Sequence, residues 1–349
     1  MAKGNSVGLL AMRLALRGVG GNYGMTGKRL VFHTNGNPAD VLRLEEFAPR
    51  EPGGGEVLVR MEAAPLNPAD LNTVEGTYGV KLDLPATPGI EGGGVVEISR
   101  ADGFSPGDRV MFLARAATWA THTTVTANAL IKLPAEIDPL QAAMLKVNPA
   151  TAYCLLNHFE KLKPGDWVVL NLGNSAVGRC VIQLARIARV RTISFVRRLD
   201  TAEELQRLGA GHVLMDDEDG LAAAKEAMNG ANAVLAFNGV GGESALRLMK
   251  LLRKSGTHVT YGAMGRKPVS LPNGLLIFRD IRLRGLWVTR WLESIGPHEV
   301  REIYNRLAQA VLDGTLVQPV DRSFALGDFK NALARLNARE RTGKVLFEM

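Results

Sequence analysis

The chain has 349 residues, 46% of them hydrophobic, with 42 basic against 35 acidic side chains and a formal net charge of +7. That length and apolar share allow a large core and favour two domains over one. No apolar run reaches the roughly 18 to 20 residues that a membrane-spanning helix needs. Two cysteines, Cys154 and Cys180, exclude a disulfide framework and a four-cysteine zinc site. Residues 1–29 hold five bases and no acid, leaving 37 bases against 35 acids beyond them. The charge excess therefore belongs to the N-terminus, and no basic run with interleaved aromatics marks a nucleic-acid surface.

That N-terminal stretch, MAKGNSVGLLAMRLALRGVGGNYGMTGKR, sets Arg13 and Arg17 four apart among leucines and has no acid. It resembles a mitochondrial transit peptide. The alternative is a start at Met25, directly before the first strand, and a cytoplasmic protein. On either reading residues 1–27 form an extension outside the fold.

From Arg29 to about Ala129 short strand patterns dominate. KRLVFHT and EVLVRMEAA alternate on either side of the turn-rich PREPGGGE, and GGGVVEI and DRVMFLA continue the run. Asn148 followed by Pro149 predicts an N-cap and first helical residue for a helix reaching about Phe159. Cys154 in this helix and Cys180 in a later one read as reduced, buried thiols.

From Lys163 strands and helices alternate. The segment DWVVLNLGNSAVGRCVIQLARIARVRTISFVRR (166–198) reads as strand, glycine-bearing turn, helix and strand. Its helix puts Val177, Val181, Leu184, Ala185 and Ala188 on one face. Thr201 and Glu204 predict a capping box for a helix ending near Gly209. HVLM, NAVLAFN and THVTYGAM follow as strands apolar on both faces, which suits a parallel sheet covered by helices on each side. Beyond Pro297 come two amphipathic helices and a terminal strand, GKVLFEM, that returns to the first domain.

The turn Gly173-Asn174-Ser175-Ala176-Val177-Gly178 keeps the first and third glycines of the dinucleotide fingerprint and places Ser175 at the second. A serine there offers a hydroxyl to a phosphate oxygen, and the helix N-terminus adds N–H donors. At the end of the second strand NAD-binding chains usually place an acid for the ribose 2′-hydroxyl; this chain has Arg197 and Arg198. Arginine attracts a 2′-phosphate that an acid would repel, so the cofactor predicted is NADPH. The competing reading is a pair of solvated surface arginines.

A β-rich unit ahead of such a domain resembles the medium-chain dehydrogenase/reductase superfamily over nearly the whole chain from Lys28. The zinc-bearing members place a histidine where GIEGGG (89–94) has Glu91, so a zinc site is not expected. AAPLNPADLNTVEGTYG (63–79), LKVNPATAY (145–153), NSAVG and RDIRLRGLWVTRW resemble the mitochondrial trans-2-enoyl-thioester reductases within the zinc-free members. The resemblance implies an α/β protein: a GroES-like catalytic domain over 28–148 and 297–349, and a doubly wound Rossmann domain with a parallel sheet over 149–296. It implies reduction of enoyl-acyl-carrier-protein or enoyl-CoA thioesters, with Tyr78 as proton donor. Asn148, Asn174, Ser175, Ala176, Val177, Arg197 and Arg198 are then expected to contact the cofactor. So are Tyr261, Gly262, Ala263, Met264, Leu286, Trp287, Val288 and Lys344. Gly173 departs from the family's serine or alanine and predicts a looser turn. Trp287 and Trp291 predict packing or an interface first and an acyl channel second. A homodimer follows by analogy, with no nucleic acid and no membrane. The alternatives are an NADPH:quinone reductase of the same fold and a non-catalytic NADPH-binding protein.

Overall fold

The computed structural model describes residues 25–338 and 340–349; the segment read as a transit peptide lies, through residue 24, outside them. Strands β1 (Gly27–Phe32) and β2 (Leu42–Phe47) form an antiparallel ribbon. It covers a sheet that begins with β3 (Glu56–Pro65), β4 (Gly93–Ser99), β5 (Arg109–Phe112), β6 (His122–Thr126) and β7 (Leu130–Lys132). The second half supplies β8 (Trp167–Leu170), β9 (Arg191–Val196), β10 (His212–Met215), β11 (Ala233–Asn238), β12 (Leu252–Thr260) and β13 (Arg282–Gly285). These six pair in parallel in the order β10-β9-β8-β11-β12-β13. This is the doubly wound dinucleotide-binding order, with its crossover point between β8 and β11. Every residue of β8 and β11 is buried, as expected of strands packed by helices on both faces.

The final strands, β14 (Val320–Ala325) and β15 (Lys344–Glu348), return to the first sheet, where the order is β14-β15-β3-β4-β5-β7 and β6 also pairs with β3. β15 runs antiparallel to β3. Between the two sheets the helix Pro297–Leu312 packs on the helix Asn148–Asn157, and the fully buried Tyr304 donates its hydroxyl to the Lys146 carbonyl at 3.0 Å. The largest apolar cluster runs through this joint, from Met111 and Ile131 to Leu170, Phe237 and Tyr304.

Three local expectations are corrected. The helix after Lys146 starts one residue early: Asn148 is its first residue, Pro149 its second, and Val147 stands at the cap without a side-chain bond. Proline tolerates this because the second N–H is unsatisfied inside a helix anyway. Thr201 does precede the helix Ala202–Leu208, but it makes no capping bond; Glu204 has been recruited by Arg179 instead. In the helix Ala176–Ile187 the buried face includes Cys180, Val181, Ile182 and Ala185, whereas Ala188 is exposed at the C-cap. Both cysteines are buried and free, and burial pushes the Cys154 thiol up to about 12.

Candidate active site

The turn after β8 is shaped by close approach. Leu172 adopts a left-handed conformation (φ 53°), which turns the chain sharply out of the strand. A side chain on Gly173 would place its Cβ 2.7 Å from Cβ of Ser194 in the adjacent strand. Gly173 therefore lets β9 come close and holds the turn tight, where looseness was expected. A Cβ on Gly178 would lie 2.5 Å from the carbonyls of both Leu172 and Gly173, so only glycine lets the helix start this near the strand. Ser175 caps that helix, its Oγ accepting from the Gly178 N–H at 3.0 Å. Arg179, on the first turn, donates to the Asn174 carbonyl and fixes the loop from below.

Under the turn lies a hydrogen-bond chain that the sequence did not reveal. Asn171 donates to Asn238 Oδ1 and to Ser244 Oγ, both at 2.8 Å, and accepts from the Gly239 N–H at 2.7 Å. Ser244 in turn donates to Asp216, which Arg247 grips. The chain locks together the C-terminal ends of β8, β10 and β11. Buried polar groups so fully satisfied make a rigid floor.

Most of the other expected cofactor contacts stand at the same edge of the sheet; Asn148 and Lys344 lie elsewhere. Arg197 and Arg198 are exposed at the end of β9; Arg198 meets Asp200 at 3.2 Å, whereas Arg197 has no ion pair among the described residues. Tyr261, Gly262, Ala263 and Met264 leave β12, held by Tyr261 N–H to Asn238 and Met264 N–H to Gly239, both at 2.9 Å. Burial raises Tyr261 to about 12; its hydroxyl lies near Ser175 but falls outside hydrogen-bond geometry. Leu286, Trp287 and Val288 leave β13, with the Leu286 N–H on the Thr260 carbonyl.

The first unit contributes Tyr78. It follows the helix Pro68–Glu75 and the left-handed Gly76 (φ 77°), and the Asn72 carbonyl accepts from the N–H groups of both Thr77 and Tyr78. The Tyr78 ring meets Trp287 edge-on, with centroids 6.4 Å apart and planes at 88°. The expected proton donor thus reaches the loop after β13. Asn148 is buried at the joint of the two units, its Nδ2 3.4 Å from Gln318 Oε1.

Lys344 occupies a buried cluster on the first-unit side of that joint. Its ammonium donates to the Leu66 carbonyl and to Asn67 Oδ1. Asn67 donates to Glu91, whose second oxygen accepts from the Val147 N–H at 2.8 Å. Asp70 accepts from the N–H groups of Asn67 and Ile90, and burial raises it to about 6. Burial raises Glu91 as well, and lowers Lys146 to about 8.

Residues 53–135 match the family described as alcohol dehydrogenase GroES-like domain, and residues 176–309 match zinc-binding dehydrogenase. A mitochondrial enoyl-[acyl-carrier-protein] reductase of Xenopus tropicalis is 39% identical over 320 residues, spanning 88% of this chain and 91% of that protein. The chain belongs to the mitochondrial enoyl-thioester reductase family. Among solved structures, the complex of Etr1p with NADP and crotonyl-CoA superposes on this reductase with a TM-score of 0.84 at 28% identity, covering 93% of this chain and all of that one. A putative NADPH:quinone reductase from Bacillus thuringiensis does so with a TM-score of 0.86 at 30% identity, covering 93% and 99%. The fold alone therefore does not separate the two chemistries.

The zinc in one family description finds no fitting donor set in this reductase. Glu91 stands among Asn67, Lys146 and Lys344, both cysteines lie elsewhere in apolar packing, and among the described residues no three His, Cys, Asp or Glu side chains cluster. A dinucleotide fits better: a capped helix N-terminus, a glycine held to close approach, and Arg197, with no ion pair among the described residues, stand at one edge of the parallel sheet. Beside Trp287 a cleft of about 570 Å³ opens, walled by His158, Phe159, Arg284, Arg290 and Trp291. Both tryptophans line the cleft; Trp291 is buried and packs into the largest apolar cluster as well, whereas Trp287 is 44% exposed.

Proposed function

We propose that this reductase saturates trans-2-enoyl thioesters of CoA or acyl-carrier protein, using NADPH, in mitochondrial fatty acid synthesis. The meeting of Tyr78 with Trp287 carries the reading, because it brings a phenol to the cofactor edge of the Rossmann sheet. When bound, NADPH supplies a hydride for the β-carbon of the enoyl thioester. Tyr78 then gives its proton to the α-carbon; a phenol is neutral near pH 7 and delivers a proton only where the substrate demands one. Ser175 and the N–H groups of Ala176 and Val177 receive the pyrophosphate, and Arg197 receives the 2′-phosphate. Asn148 orients the nicotinamide end from the joint between the units. The cleft beside Trp287 takes the acyl group. The relatives' mitochondrial names support a matrix location.

A homodimer fits the outer edge of the Rossmann sheet. β13 is exposed along its whole length, its Leu283 at 41%, and Leu276, Ile277 and Phe278 in the helix before it are 51%, 68% and 78% exposed. An unpaired strand edge flanked by such apolar surface pairs with a second copy.

The test is NADPH oxidation with trans-2-butenoyl-CoA and trans-2-octenoyl-CoA, a quinone and NADH serving as controls. Enoyl-CoA turnover that prefers NADPH and falls about 10²- to 10⁴-fold in Tyr78→Phe supports the reading. Turnover of the quinone alone, indifferent to Tyr78, refutes it and favours the quinone-reductase alternative. NADPH binding without any turnover refutes it in favour of a non-catalytic role.

A further inference from the structure

Arg115 stands in the loop after β5, on no pattern that singled it out. Its guanidinium carbon lies 5.6 Å from the centroid of the Tyr78 ring. The Nη1 nitrogen is buried and meets no hydrogen-bond partner among the described residues. Arginines elsewhere in this protein are held by carboxylates: Arg179 grips Glu204, Arg247 grips Asp216, and Arg335 grips Asp321, each through two nitrogen–oxygen contacts. Among the described residues Arg115 makes no such pair. Its charge is felt at Asp70 and at Lys146, yet neither is close enough to form an ion pair or hydrogen bond with it. An arginine nitrogen with no partner is costly to bury, and among the described residues the ring that the Arg115 guanidinium covers is that of Tyr78.

A cation over an aromatic face is attracted weakly to a neutral phenol and far more strongly to a phenolate, whose ring carries part of a full negative charge. The attraction therefore grows as the proton leaves, and interactions that grow along the reaction raise the rate. We infer that Arg115 is a positioning residue for this reaction: it holds the Tyr78 ring and stabilises the negative charge that Tyr78 carries once its proton has gone. The inference rests on Tyr78 as the donor. In that step the Tyr78 O–H bond breaks, a C–H bond forms at the α-carbon, and the O–H electron pair stays on the phenolate oxygen. Water then returns a proton to Tyr78. Among the described residues no carboxylate contacts Arg115, so its charge is offset only from a distance, by groups such as Asp70.

The experiment compares the wild-type chain, Arg115→Gln, Arg115→Lys, Tyr78→Phe and the double variant Arg115→Gln/Tyr78→Phe, with NADPH and trans-2-butenoyl-CoA. Arg115→Gln should lower kcat about tenfold, equivalent to about 1.4 kcal/mol, and leave KM for NADPH within about twofold. Lysine keeps the charge without the planar fork and should restore part of the loss. In the Tyr78→Phe background the glutamine change should move kcat less than about twofold, because the charge it answers never forms. The solvent deuterium isotope effect on kcat should rise in Arg115→Gln, since proton delivery becomes slower. An equal tenfold fall in both backgrounds, or no fall in either, overturns the inference. If the glutamine variant does not fold, the lysine variant carries the same comparison, with a smaller fall that must also vanish without the Tyr78 hydroxyl. Failure of the donor reading shows separately, as Tyr78→Phe retaining wild-type turnover.

Discussion

Arg179 grips Glu204 in two parallel bonds of 2.8 Å, and its remaining nitrogen reaches the Asn174 carbonyl. One side chain thus ties the second βα unit of the Rossmann domain to the turn expected to hold the pyrophosphate. The Arg179 side chain is only 5% exposed. Glu204→Ala leaves a buried guanidinium half-satisfied, which costs about 3 kcal/mol. Thermal melts should show that loss without ligand, and titration should show weaker NADPH binding. An unchanged affinity would mean that the turn holds its shape without the clamp.

The two arginines after β9 are not equivalent. Arg198 is engaged with Asp200, whereas Arg197 has no carboxylate partner among the described residues. Arg197→Ala should lower kcat/KM for NADPH by about 10- to 100-fold and leave NADH turnover nearly unchanged, since charge-assisted bonds are worth roughly 1.5–3 kcal/mol. Arg198→Ala should matter less. Steady-state kinetics with both cofactors decides, and equal effects of the two substitutions would contradict this assignment.

The proposed dimer is tested at Phe278, which at 78% exposure is the most exposed of the large apolar side chains among the described residues. Phe278→Asp puts a charge into the proposed dimer face and should shift the protein to monomer in sedimentation velocity. Melting of the isolated fold should change little, because the side chain touches no core cluster. A wild-type chain that already sediments as a monomer would remove the dimer reading.

The pH dependence of stability has a specific source in His258. It is fully buried on β12 with neither ring nitrogen bonded, and burial holds it down to about 4. The unfolded chain takes up this proton near pH 6.5, whereas the folded one resists until about 4. Its contribution is therefore fully present above pH 6.5 and is lost as pH falls toward 4, on the order of 3 kcal/mol. His258→Leu should narrow the difference in Tm between pH 7.5 and pH 5. Asp70 opposes this trend, since its raised carboxyl takes up a proton first in the folded state. A difference in Tm as large in His258→Leu as in wild type would exclude His258 as the source.

Much of this architecture was legible because it is written in local patterns. The strand at 191–196 and the terminal strand after Gly343 announce themselves by apolar runs between turn residues, and the cofactor turn by glycines at fixed spacing. Contacts between distant segments leave no such trace. Glu204 sits where a capping box expects it, and only the fold shows Arg179 drawing it away across 25 residues. Gly173 looked like a loosening substitution because Ser194, which it must let past, comes 21 positions later. Arg115 and the Asn171–Asn238–Ser244 chain carry no spacing at all; tertiary geometry alone assembles them.

The placement of β15 bears on how the molecule is made. It lies between β14 and β3, so residues 344–348 fill an interior slot of a sheet whose neighbouring strand was synthesised nearly 280 residues before. The six parallel strands are complete by Gly285 and can assemble while translation continues. The sheet that supports Tyr78 cannot close until the ribosome has passed Glu348. A nascent or truncated chain would thus hold a finished nucleotide platform beside an open β3 edge, the form most exposed to aggregation and to capture by chaperones.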